Sequence, residues 1–379
     1  MLSLAMVIFI KNASVKISYI VEISPLLLAL ISSFAAVYAF LVTHKDELSK
    51  YDKPDGEYFS FVSNEHRSTT EVALDKLRKK INKATEEMQS AVLRKRIPIL
   101  RKVMDSFFDG FEIKSSIKHA GADNIPSEWV LSDKANSKNM ILYIHGGAFF
   151  AGSTKSHRVI TDRLSQTTNF SVLAINYRLI PENNRLDSLD DCVDAFHWLK
   201  NHGPRGLEKA EKIVVIGDSA GGNLALALSV MLRDRSDCQP NAVVALSPIT
   251  DSRLVNPSVK KNINSDFVLE PLTKNFTWLS KIGLGFAAKM VTRHNPFDVK
   301  VSPLLDKLHD LPPTLVQVSD SEILFDDARR YVNKAVDCGS LAKLQVWEKM
   351  PHVWHIFYPD LTQANDAFIE ITRFIKQNA

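Results

Sequence analysis

The sequence predicts an α/β chain in which a mostly parallel central sheet carries helices on both faces. Three observations lead there. Past residue 110, short apolar runs alternate with amphipathic stretches, the pattern of a parallel sheet covered on both sides. Gly217-Asp218-Ser219-Ala220-Gly221 separates a β-branched run from an alanine- and leucine-rich one, so the chain must turn sharply there from strand to helix. Reactive side chains cluster where strands are expected to end, which is where open parallel sheets place their sites.

Taking the segments in order, residues 23–42 (ISPLLLALISSFAAVYAFLV) hold no charged side chain. As a helix they would span about 30 Å, the thickness of a bilayer core. Ser24-Pro25 suits a helix start. Residues 1–45 are therefore expected to be a single-pass membrane anchor. A cleaved signal peptide leading to a secreted or periplasmic protein, and a buried helix, are the alternatives. Lysines on both sides (Lys11 and Lys16; Lys45, Lys50 and Lys53) specify orientation weakly.

Residues 46–110 read as a polar linker followed by a basic helix over about 69–102. Leu74, Leu77, Ile81, Ala84, Met88 and Ala91 form its apolar stripe, and Pro98 is expected to end or kink it. Its basic face either meets solvent or contacts anionic lipid. Strands are expected at 129–131, 140–144, 171–176, 213–216, 242–246, 314–319 and 344–347. Helices are expected at 157–168, 189–202, 223–233, 326–337 and 364–376. A net charge of +4 argues against a nucleic-acid partner. Cys192, Cys238 and Cys338 have no metal-ligand spacing and form no disulfide framework.

Ser219 at the apex of its turn has the geometry of an exposed nucleophile. His145-Gly146-Gly147 follows a strand, and paired glycines can turn backbone N–H groups outward. The amides of Gly146 and Gly147, with that of Ala220, are expected to hold the negative charge that forms on an attacked carbonyl. His145 is expected to order that loop. A serine needs a base, and His352 lies in a loop after the last strand, whereas His355 reads as packed. The carboxylate that orients the base comes from Asp320, Glu322, Asp326 or Asp327.

These residues resemble the hormone-sensitive lipase branch of the α/β-hydrolases. His145-Gly146-Gly147 is similar to that family's oxyanion motif, and Gly217-Asp218-Ser219-Ala220-Gly221-Gly222 to its nucleophile elbow. Tyr177-Arg178-Leu179-Ile180-Pro181-Glu182, ALSPITD, VSPLL and LPPTLVQV match further landmarks in order. The resemblance implies Glu322 as the acid, with Leu324 and Asp326 completing its motif. Asp320 is the alternative acid, and Asp326 supports the loop. Ala148 stands where the family has a third glycine.

It also implies one hydrolase domain over 111–379, with a cap drawn from the N-terminal region and an insertion at about 252–298. The insertion's Phe267, Phe276, Trp278, Leu279, Ile282 and Phe286 are expected to pack the cap and partly line an acyl pocket. The implied reaction is hydrolysis of small-molecule or lipid esters, with short to medium acyl chains and no metal or organic cofactor. An amide or N-acyl hydrolase on the same scaffold, and an inactive membrane-tethered binding protein, are the other readings.

Overall fold

Nine strands make the main sheet in the computed structural model, which describes residues 47–60, 64–273, 292 and 294–379. They are β1 (Glu57–Phe59), β2 (Ser116–Ala122), β3 (Ile125–Leu131), β4 (Asn136–Ile144), β5 (Phe170–Ile175), β8 (Lys212–Asp218), β9 (Ala242–Leu246), β10 (Thr314–Ser319) and β11 (Ala342–Trp347). A small hairpin, β6 (His202–Gly203) and β7 (Gly206–Leu207), stands apart. The spatial order is β1-β11-β10-β9-β8-β4-β5-β3-β2. Pairing is parallel from β1 to β5 and antiparallel at β5–β3 and β3–β2.

Every residue of β5, β9 and β10 is buried, because helices cover both faces. Strand alternation sorts the core into two layers. Leu142, Val215, Val243 and Val316 pack with α4 (Asp187–Leu199), α5 (Ala220–Asp234) and α8 (Phe325–Asp337). Ile141, Val214, Val244 and Leu315 pack with α3 (Arg158–Thr168) and α9 (Thr362–Asn378).

Three expectations change. The first stretch of 46–64 is no loose linker: the Asp52 carboxylate accepts from the Arg330 guanidinium at 2.7 and 2.8 Å, and β1 extends the sheet along β11. Arg330 is fully buried, so its charge needs that partner. Residues 69–102 are not one helix but parts of two, α1 (Asn64–Ser90) and α2 (Leu93–Ser106). The break falls at Ala91–Val92, and Pro98 sits inside α2. Pro98 stands six residues into α2, where it removes the N–H that would bond to Arg94 O, and the helix runs on past it one hydrogen bond short. β2 was not expected, because only Ala122 of its seven residues is buried and an edge strand carries little apolar signal.

The anchor expected at residues 1–45, and Phe276, Trp278, Leu279, Ile282 and Phe286, lie outside the described residues. No helix among the described residues is long and apolar enough to cross a membrane. In the insertion, α6 (Pro257–Lys261) and α7 (Glu270–Thr273) are described.

Candidate active site

β8 ends at Asp218, α5 starts at Ala220, and Ser219 between them has φ 52° and ψ −113°. The surrounding glycines follow from the tightness of this turn. A Cβ on Gly221 would sit 1.9 Å from the carbonyl oxygen of Ile144, and one on Gly217 2.2 Å from that of Gly221. The Ser219 N–H donates to Leu246 O at 2.7 Å, tying the apex to β9.

The Ser219 hydroxyl donates to His352 Nε2 at 2.9 Å, and His352 Nδ1 donates to Glu322 Oε2 at 2.6 Å. Glu322 is fully buried and His352 nearly so. Burial pushes the imidazole down, but the hydrogen bond and charge of Glu322 outweigh it and hold His352 above its ordinary value. The other oxygen of Glu322 accepts from Ser247 Oγ and from the Ser319 amide, both at 2.8 Å. Ser247 Oγ in turn accepts from Val353 N at 3.2 Å, so one hydroxyl links the acid to the histidine loop. Ser247 was legible only as part of ALSPITD, with no role attached.

Asp320 is exposed and turns away, accepting from the amide of Lys349 at 2.8 Å. Asp326 accepts from Ser258 N at 2.7 Å and pairs with Arg329, which fixes the loop that carries Glu322. Asp327 accepts from the amides of Thr250 and Asp251. His355 is buried, donates to Gln317 Oε1 at 2.7 Å and is pushed down to about 3 by burial.

On the glycine-rich loop, His145 Nδ1 donates to Gly146 O at 2.7 Å. Its ring stacks on Tyr177 at 4.3 Å, and the Tyr177 hydroxyl donates to His145 O. One expected charge-stabilising donor is already engaged. The Gly146 amide donates to Asp218 Oδ1 at 3.0 Å, leaving Gly147 and Ala148 on the pocket wall beside Ser219. A Cβ on Gly146 would lie 2.2 Å from the Asp218 carboxylate, so this contact demands glycine.

Asp218 also accepts from Tyr143 Oη at 2.5 Å and faces His157 Nε2 at 3.3 Å. Burial pushes this carboxyl up, but the charge and hydrogen bond of His157, with Tyr143, hold it below the ordinary carboxylate range. Nothing in the sequence singled out His157: its partner is 61 residues away and the two meet only across β4 and β8.

A cavity of about 220 Å³ opens over Ser219 and His352. Ile81, Ala84 and Met88 of α1, Leu100, Val103 and Met104 of α2 and Phe107 just after it form one wall. Val268, Leu269 and Pro271 of the insertion, with Ile356 and Phe357, form the other. Among the described residues, no Lys or Arg lines it. Phe267 packs beneath the Arg78 guanidinium, 4.9 Å from its ring centroid, while its neighbours Val268 and Leu269 face the cavity.

Residues 141–356 match the family described as the alpha/beta hydrolase fold. An esterase of Acinetobacter venetianus is 32% identical over 241 residues, 64% of this chain and 76% of that protein. The carboxylesterase/phospholipase LipF of Mycobacterium tuberculosis is 36% identical over 237 residues, 62% of this chain and 61% of LipF, so the match spans less than two-thirds of LipF. Among solved structures, an esterase from the bacterial hormone-sensitive lipase family superposes with a TM-score of 0.70 at 30% identity, over 81% of this chain and 98% of that one. The chain belongs to the alpha/beta hydrolase fold family, in its hormone-sensitive lipase branch. Within that branch it is a carboxylic ester hydrolase.

Proposed function

We propose that ester hydrolysis runs through an acyl-enzyme on Ser219. The observation that carries this reading is the continuous hydrogen-bonded line from Ser219 Oγ through His352 to Glu322, at 2.9 and 2.6 Å. Ser219 Oγ attacks the ester carbonyl while His352 Nε2 takes its proton. Glu322 fixes the imidazole and stabilises its charged form. The electrons displaced onto the carbonyl oxygen are met by the amides of Gly147, Ala148 and Ala220. Collapse expels the alkoxide, which takes the proton from His352, and water then repeats the sequence to release the acid.

The aliphatic and aromatic side chains that line the cavity support an apolar acyl group of short to medium length. The uncharged run at 23–42 supports a membrane-anchored enzyme that draws lipid-soluble esters from the bilayer beside it. A fluorophosphonate probe tests the mechanism, since an activated serine attacks its phosphorus, expels fluoride and is left phosphonylated. The expected result is one adduct, mapped to the peptide containing Ser219, with loss of hydrolysis in step. An active protein that takes no label, or takes it elsewhere, contradicts the proposal.

A further inference from the structure

The insertion is folded against the loop that carries Glu322. Asn262 Nδ2 donates to the carbonyl oxygens of Asp320 and Glu322 at 2.8 and 2.7 Å, and Ser265 Oγ donates to Ser321 O at 2.8 Å. At the centre of this contact lies Asp266, which is 1% exposed. One of its oxygens accepts from Ile323 N at 3.0 Å, the residue after the acid. The other accepts from Leu269 N at 3.1 Å, a residue of the cavity wall.

Its carboxylate also faces the reacting centre. An oxygen of Asp266, an oxygen of Glu322 and a ring nitrogen of His352 all lie within 4.8 Å of one another. The imidazole thus faces two buried carboxylates, only one of which bonds to it. Hydrogen bonding of backbone amides does not require that crowding. Two buried like charges repel, and the arrangement becomes favourable when a positive charge forms between them.

We propose, resting on the Ser219–His352–Glu322 assignment, that Asp266 is a positioning residue whose charge supports protonated His352 and whose hydrogen bonds lock the Glu322 loop to the cavity wall. Burial, with Glu322 adding to it and His352 opposing, pushes the Asp266 carboxyl up to about 6, so the group is ionised at neutral pH. The titratable groups facing it are Glu322, after β10, and His352, after β11. Asp218, behind Ser219, acts on the same imidazole, and Arg78 of α1 reaches the adjacent Phe267 ring.

An ionised Asp266 raises the basicity of His352, and hydrolysis requires the unprotonated base. In D266N the acidic limb of kcat/KM therefore moves to lower pH, by about one unit for a charge this close. By the same margin kcat falls about tenfold, while KM for p-nitrophenyl butyrate stays within about twofold. An acidic limb that does not move overturns the proposal, whatever happens to stability. S219A run alongside separates the two claims. Undiminished hydrolysis there removes the underlying assignment, whereas an inactive S219A with an unmoved D266N limb removes only the role of Asp266.

Should D266N fail to fold, titration of the His352 ring by NMR in E322Q decides the matter. Burial pushes His145 and His355 down to about 3. With Asp266 facing it, His352 in E322Q takes up its proton at a clearly higher pH than His145 and His355 in the same spectrum. A His352 ring that titrates together with those two overturns the proposal.

Discussion

Ser219 shares its positive φ with Ala148 (54°), Phe149 (66°), Ser247 (46°) and Val353 (50°), all within the elbow, the glycine-rich loop or the contacts of the triad. Each such residue costs on the order of 1–2 kcal/mol, so the surroundings must over-determine it. They do: Ser247, for example, is held by Glu322 on one side and Val353 on the other. Ala148 is the position where strain is easiest to relieve. A148G is expected to raise stability by up to about 1 kcal/mol, the left-handed penalty less the added chain entropy of glycine. Denaturant unfolding measures it, and a clear loss of stability would show that the alanine methyl is needed for packing. At this scale Ser219 was legible because its turn tolerates only small neighbours, and His352 because it follows the last strand in a loop. Glu322 was not separable from Asp320 without the family comparison. Their difference lies in which way the loop turns each side chain, and that is set by Ser247 and Ser319 rather than by spacing.

Among elements, α2 carries the clearest link between cap and chemistry. Arg101 donates to both oxygens of Glu182 at 2.9 and 2.7 Å, to Phe150 O at 2.7 Å and to Ile180 O at 3.2 Å. One side chain thus fastens a cavity-lining helix to the glycine-rich loop and to the Tyr177–Glu182 stretch. R101A is expected to raise KM for butyrate esters by about three- to tenfold with a smaller change in kcat, because it loosens the wall and spares the reacting groups. An unchanged KM would mean that apolar contacts alone seat the helix. The parallel strands were legible as apolar runs because both their faces are buried. β1 was missed because it is three residues long, and the α1–α2 break because Ala91–Val92 holds no Gly or Pro. Pro98 did not end the helix, which runs through it at the loss of one hydrogen bond.

For the molecule as a whole, two segments far apart in the chain, α1–α2 and the insertion, close an apolar cavity over one end of the sheet. Each methylene buried there contributes about 0.8 kcal/mol, roughly fourfold in kcat/KM. Across p-nitrophenyl esters, kcat/KM is expected to climb from acetate, peak at about four to eight acyl carbons and fall for long chains once the cavity is filled. A flat series, or matched amides cleaved faster than esters, would assign the cavity another occupant. The central claim is that one serine, activated by one histidine, carries the acyl group. Steady-state hydrolysis of p-nitrophenyl butyrate by S219A tests it most directly, with thermal unfolding to verify that the fold is intact. The account predicts a fall in kcat on the order of 10⁴-fold or more at an unchanged unfolding temperature. Turnover within about tenfold of the unmutated chain would contradict it.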